Sequence, residues 1–351
     1  PHIGLGGRPI RPITSLRARE QRDQLAKVRA EREADRLAKR GEELFRGESW
    51  IAAAEAFRGA VEKMPDVALY HQWLAETEAR IGRWEPTVRG YREAMKRDHT
   101  VGIDFYRNLP VKTAESGPGF VENPIFIVGC GHSGTSIMLA ILGNHPEIHP
   151  IQKESNLFLK TDKTALEMMA EWYRLAAEVG KSRWIEKTPP NIFQIARFLK
   201  MRPAARFILM LRDGRDVVCS LKYRVGYASF SDRLDRWIYD NLAGLPYWDH
   251  PQVKVVRYED LVTEPQTTLQ AICTFLSVRY DAAMLNYSTD EHLWYSDAVE
   301  KPAHIITHAD HMKNRNWQIN QPLFDGRGRW EEEMSQHELA LFNRAIPSDL
   351  R

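Results

Sequence analysis

The run Ile125-Phe126-Ile127-Val128, followed by Gly129-Cys130-Gly131-His132-Ser133-Gly134-Thr135-Ser136, constrains the fold of this 351-residue chain more than any other stretch. Four consecutive apolar residues bounded by glycine read as a strand buried on both faces. The apolar run 137–142 then opens a helix. A strand, a glycine-rich turn and a helix leave free backbone N–H groups and the positive helix end facing one point, which suits a phosphate. The spacing is that of G-x-x-x-x-G-K-[ST], with Thr135 in the lysine position. That lysine reaches the β- and γ-phosphates of a nucleotide, so a loop without it fits a ligand lacking a γ-phosphate.

Further strands are expected at Arg206–Leu211 and 253–256. Helices are expected at 135–143, 164–179, 191–201, 214–224, 231–247 and 265–276. Near-continuously apolar strands separated by helices predict an α/β fold, a P-loop-containing parallel sheet flanked by helices. Residues 1–14, rich in Gly, Pro and Arg, are expected to be a flexible tail, and the charged segment 15–40 an exposed helix. Trp50 and Trp84, Phe57 and Tyr91, and Ala60 and Ala94 are each separated by 34 residues. That period, with Leu37, Gly41, Leu44, Ala53 and Pro65, resembles the tetratricopeptide (TPR) family over residues 34–100. Two repeats fall short of the ~3 needed for an independent array, so they should dock on the domain that follows. A peptide-binding groove is one role for them; a structural extension or dimerisation surface carries more weight. The expected division is a tail at 1–14, a small all-α TPR-like region at 15–100, a linker at 101–124 and the α/β domain at 125–351.

A formal net charge of +2 gives no support to a nucleic-acid partner. No apolar run is long enough to span a bilayer and no secretory leader pattern is visible. The three cysteines, Cys130, Cys219 and Cys273, are scattered, which suits a reducing compartment, and the expected location is cytoplasmic. The sequence starts at Pro1 rather than Met, which reads as a natural N-terminus lying further upstream.

The second informative segment runs from Arg206 to Arg224. Its strand delivers Arg212 at the carboxyl edge, where ligands of open α/β sheets bind. Asp213 or Asp216 is placed to cap the next helix, and Ser220 and Arg224 fall four apart on one face of it. Arginine, serine and arginine then form a cup for a second phosphate. A surface ion-pair network among Arg212, Asp213, Arg215 and Asp216 is the ordinary alternative.

Together the two segments resemble the sulfotransferases that use 3′-phosphoadenosine 5′-phosphosulfate (PAPS) and release 3′-phosphoadenosine 5′-phosphate (PAP). The resemblance covers roughly 122–335 and makes 125–351 a sulfotransferase domain. It implies that Gly131, Ser133, Gly134, Thr135 and Ser136 cradle the 5′ side of the donor, and that Arg212, Ser220 and Arg224 hold the 3′ side. Glu186-Lys187-Thr188-Pro189, the strand end Tyr258-Glu259-Asp260-Leu261 and Gly328-Arg329-Trp330 are similar to three further elements of the family. The spacing is most similar to the protein-tyrosine sulfotransferases, and Lys301-Pro302 resembles their later donor-binding lysine. Two departures are plain: His132 replaces the family's loop arginine, and Gln152-Lys153-Glu154-Ser155 does not reproduce its E-T-R sequence.

The resemblance implies sulfonyl transfer to an acceptor hydroxyl with no metal required. Glu154 is the expected general base, in a hydrophobic surround that raises its pKa; His149 and His145 are the alternatives. Lys187 is expected to stabilise the bridging oxygen. His132, if protonated or correctly tautomerised, donates to the leaving group, with a purely structural role as its counterpart. Tyr258 is expected to pack. A small-molecule or sugar hydroxyl is the favoured acceptor and a tyrosyl peptide the alternative. The rival functions are a P-loop kinase of a small molecule and an inactive binding scaffold. The 292–330 stretch is expected to fold over the site, and a homodimer or protein partner would engage the helical N-terminal region.

Overall fold

Five strands, β1 (Ile125–Gly129), β2 (Ile148–Pro150), β3 (Arg183–Lys187), β4 (Arg206–Leu211) and β5 (Val253–Arg257), form one sheet in the order β2-β3-β1-β4-β5. All neighbours are parallel, with Ile127 beside Lys187 and Gly129 beside Met210. The computed structural model describes residues 13–113, 123–224 and 226–350. Residues 1–12 of the expected tail and 114–122 of the expected linker lie outside them.

The N-terminal region folds as α1 (Ile13–Arg46), α2 (Trp50–Lys63), α3 (Ala68–Ile81), α4 (Trp84–Arg97) and α5 (Val101–Asn108). The repeat has a direct structural counterpart. Trp50 and Trp84 begin α2 and α4, and the paired positions Phe57/Tyr91 and Ala60/Ala94 are fully buried. The linker reading of 101–124 is corrected at its start, because Val101–Asn108 is helical and buries Phe105 and Tyr106. The helical region docks on the sheet domain, as its shortness requires. Glu76 of α3 accepts hydrogen bonds from Tyr91 Oη and Tyr106 Oη and pairs with Arg80, while Gln194 reaches Tyr91 Oη from the sheet domain. Arg92 of α4 grips Asp240 at 2.9 Å.

Around the sheet lie α6 (Thr135–Gly143), α7 (Asp162–Glu178), α8 (Ile195–Met201), α9 (Gly214–Leu221), α10 (Phe230–Gly244), α11 (Tyr258–Thr263), α12 (Pro265–Leu276), α13 (His308–Ile319), α14 (Arg329–Glu333) and α15 (Gln336–Ala345). The period-2 alternation of a strand splits β1 between two cores. Phe126 and Val128 pack with Trp184, Phe198 and Phe207, whereas Ile125 and Ile127 pack with α6 and α12. Each such fully buried side chain contributes on the order of 1.5–3 kcal/mol.

Two strands escaped the sequence reading. β2 is only three residues long, and β3 (Arg-Trp-Ile-Glu-Lys) carries three charges in five residues. The helix expected at 214–224 ends at Leu221, so Arg224 stands in the bend beyond it rather than on its face. The helix expected at 191–201 is a 3₁₀ segment at Pro189–Gln194 before α8, and that at 231–247 ends at Gly244 before another. Among the described residues, no helix is long and apolar enough to cross a membrane.

Candidate active site

The strand order brings the expected residues to one rim. Glu154 follows β2, Lys187 ends β3, the loop 130–134 follows β1 and Arg212 follows β4, so all four lie at the carboxyl edge of neighbouring parallel strands. Direct contacts close the group. Arg212 Nη1 donates to His132 O (3.2 Å), and Ser220 Oγ lies 2.9 Å from His132 Nδ1. The two segments read in the sequence as phosphate-binding therefore touch.

The loop is shaped for a close-approaching anion. Gly134 is the N-cap of α6 in a left-handed conformation (φ +89°) and offers no side chain to cap it, so the helix N-terminus stays open. A Cβ on Gly131 would stand 2.3 Å from Arg236 Nη2, so only glycine lets that guanidinium lie against the loop. Among the described residues, the buried Ser133 Oγ, Arg212 Nε and Arg236 Nη1 have no hydrogen-bond partner. Buried donors left unpaired cost about 1–3 kcal/mol each, and an anion in the loop would satisfy them. The residues present fit a polyanionic donor. Thr135 and Ser136 form the first turn of α6 beside them.

Arg212 also donates to Gly326 O (2.5 Å) and lies 4.3 Å over the Tyr258 ring, whose hydroxyl donates to Phe324 O. Tyr258 thus packs, as expected. The ion-pair alternative for this segment is half realised. Arg215 pairs with Asp213, which caps α9, but Arg212 turns to the loop and buried Asp216 accepts from Gly328 N and Trp330 N. The 326–330 stretch is thereby strapped across Arg212.

Glu154 corrects an expectation. Its surround is cationic rather than hydrophobic: Lys187 Nζ (2.6 Å) and Arg315 Nη2 (2.7 Å) both bond Oε1. Burial pushes its pKa up, but the charges of Arg315 and Lys187 outweigh that and hold the carboxyl well below the usual range. For His132 the protonated form is set aside, which leaves the neutral tautomer and the structural role. Burial, with the positive field of Arg236 and Arg224, pushes its pKa well below the ordinary value, so the ring is neutral. It sits at φ +73°, a strained backbone for a residue with a side chain, and stacks on His311 at 5.8 Å. His145 is excluded as base by geometry, since Nε2 bonds Arg279 O and Nδ1 accepts from Glu147 N. Lys301 is not brought to the loop; it is exposed and lies over the Trp317 ring.

A cavity of about 1140 Å³ opens beside this rim, walled by Glu154, Arg224, His311 and Arg315 from the sheet domain and by Trp84 and Arg89 from α4. Arg212, Ser220 and the 131–136 loop are not part of its wall. Arg224, in the bend after α9, is pushed down to about 10 by burial and by Arg236.

Sequence reasoning missed three contributors. Arg315 and Tyr295 come from the aromatic C-terminal stretch, which has no periodicity to read. Arg315 lies 4.0 Å over the Tyr295 ring and bonds Ser136 Oγ. Glu186 carried a signal that was passed over, an acid inside the Glu-Lys-Thr-Pro segment. Fully buried, it accepts from Ser155 N, Ser155 Oγ, Thr188 Oγ1 and Asn191 Nδ2. It thereby fastens the residue after Glu154 to the strand end that carries Lys187. Glu186→Gln turns an acceptor into a donor among four donors and should cost about 1–3 kcal/mol of stability, read as a lowered urea midpoint. An unchanged midpoint would remove Glu186 from this role.

Residues 161–282, which include β3, β4, the segment around α9 and β5, match the family model described as the Sulfotransferase family. That segment, about a third of the chain, is similar to the sulfotransferase family. An uncharacterized protein of Aquifex aeolicus (strain VF5) is 25% identical over 205 residues, 47% of this chain and 27% of its own. The protein-tyrosine sulfotransferase of Drosophila melanogaster is 24% identical over 200 residues, 46% of this chain and 40% of its own. Protein-tyrosine sulfotransferase 1 of Danio rerio is 26% identical over 197 residues, 46% of this chain and 55% of its own. The chain thus spans about a quarter to a half of the length of these relatives. Among solved structures, the sulfotransferase domain from the Synechococcus PCC 7002 olefin synthase aligns with a TM-score of 0.45 at 17% identity, covering 66% of this chain and 98% of that one.

Proposed function

We propose that this chain is a sulfotransferase that moves a sulfonyl group from PAPS to an acceptor hydroxyl. The observation that supports the proposal most is the contact of Arg212 and Ser220 with the glycine loop at His132, which sets the two expected phosphate-binding segments side by side. The open N-terminus of α6, Ser133 and Ser136 serve the 5′-phosphosulfate. Arg212 and Ser220 serve the 3′-phosphate. Arg224, set in the cavity wall with Glu154, faces the acceptor side instead.

In the reaction, the acceptor oxygen bonds to sulfur as the bond from sulfur to the 5′-phosphate oxygen breaks and its electron pair stays on the phosphate. Glu154 takes the acceptor proton, and Lys187, 2.6 Å away, neutralises charge on the departing oxygen. A base held so far below neutrality works mainly by orienting the hydroxyl, with proton transfer late. The cavity beside Glu154 accommodates a sugar or small molecule as well as a tyrosyl side chain. Labelled donor offered to glycans, phenols and tyrosyl peptides identifies which is sulfated.

A thermal-shift comparison tests the donor assignment. PAP should raise the melting temperature in a concentration-dependent way, and ADP with Mg²⁺ should not. Equal responses to both, or to neither, would remove the assignment. A response to ADP with Mg²⁺ alone would instead favour the small-molecule kinase.

A further inference from the structure

The base and the donor loop are joined by a single side chain. Arg315 projects from α13, which follows Glu154 in the chain by a long interval and lies outside the family match. Its Nη2 bonds Glu154 Oε1 at 2.7 Å and Ser136 Oγ at 3.3 Å, and its guanidinium lies 4.0 Å over the Tyr295 ring. Only 14% of the side chain's surface is exposed. Lys187, at the end of the neighbouring strand β3, takes the same carboxylate oxygen, Oε1. Among the described residues Oε2 has no such partner, and Glu154 stands in the cavity wall.

We infer that Arg315 is the positioning residue for the base: it pins Glu154 Oε1 to the donor loop through Ser136, leaving Oε2 as the oxygen offered to the acceptor. The inference rests on the proposed sulfonyl transfer. Two cations on one carboxylate oxygen fix the plane and rotation of the group, which a single lysine on a flexible stem does not. The Tyr295 ring holds the guanidinium in place, so Nη2 arrives at Ser136 and Glu154 already oriented. The loop itself offers no cation here, since His132 is neutral. Arg315 supplies from another element a positive charge at the junction of loop and base.

The groups facing Glu154 are Lys187 from β3, Arg315 and His311 from α13, Tyr295 from the segment before α13, and Arg224 from the bend after α9. His311 is pushed down to about 3 by burial and by Arg224, so it stays neutral across the useful range. Removing Arg315 leaves Lys187 as the one bonded cation. The Glu154 pKa should then rise by about one unit or more, since a close opposite charge lowers a carboxyl by about 1–3 units.

The test compares Arg315→Met and Arg315→Lys in the full chain by three readouts: a ¹³C carboxyl titration assigned by difference against Glu154→Gln, the thermal shift with PAP, and the pH profile of transfer to the acceptor found with labelled donor. Arg315→Met should raise the Glu154 pKa, move the acid limb of the profile to higher pH and slow transfer about 10–100-fold, with the PAP response retained. Arg315→Lys, which keeps the charge but loses the fork, should keep the low pKa and recover part of the rate. An unchanged Glu154 titration in Arg315→Met overturns the inference, and so does equal slowing in both variants with the acid limb unmoved. Failure of the unaltered chain to respond to PAP would instead bring down the proposed function itself, and the inference with it.

Discussion

Glu154→Gln is expected to lower the rate of sulfonyl transfer by about 10²–10⁴-fold, the range general acid–base groups contribute, while PAP binding is unchanged or slightly tighter. The substitution preserves the shape that meets Lys187 and Arg315 but removes the charge that takes the proton. Two cations at 2.6 and 2.7 Å then lose their counter-ion, which makes the pocket more attractive to an anionic donor. Single-turnover transfer at saturating donor, set beside calorimetric titration with PAP, separates the two effects. A loss of PAP affinity parallel to the loss of rate would make Glu154 a structural residue. Undiminished transfer would return the base to other candidates, among which His145 is already committed to Arg279 and Glu147.

Arg212→Ala is expected to produce the opposite pattern. Hydrogen bonds to charged groups contribute about 1.5–3 kcal/mol, and every 1.4 kcal/mol is tenfold in affinity. PAP should therefore bind about 10–100-fold more weakly, while transfer at saturating donor falls far less. Ser220→Ala should weaken PAP in the same direction by a smaller factor, since a neutral hydroxyl contributes about 0.5–1.5 kcal/mol. Arg212 also carries Gly326 O and His132 O, so a urea midpoint for each variant guards against misreading a loosened strap as lost affinity. Unchanged affinity in both variants would place the 3′-phosphate elsewhere.

What was legible in the sequence was what local pattern encodes. β1 and β4 are continuous apolar runs because both their faces are covered, and the glycine turn declares itself by composition. The 34-residue spacing was legible because Phe57 and Tyr91 occupy equivalent buried positions in α2 and α4. β3 was missed because Glu186 and Lys187 break the apolar run, yet both are buried for reasons no local window contains. Glu186 is satisfied by Ser155, Thr188 and Asn191, and Lys187 by Glu154. The ionisation of Glu154 was misjudged for the same reason. The cation that pairs with it beside Lys187 arrives from α13, and nothing near residue 154 announces it. Lys301 shows the converse, a local lysine–proline match whose ammonium folds onto Trp317 instead of the loop.

The clamp between Arg92 and Asp240 sets α4 as one bank of the cleft next to Glu154. On the proposed function, grip on the nucleotide falls to the sheet domain, while part of the choice of what is modified falls to the helical region packed against it. Remodelling α4 would then alter the target while the residues at the sheet rim stay as they are.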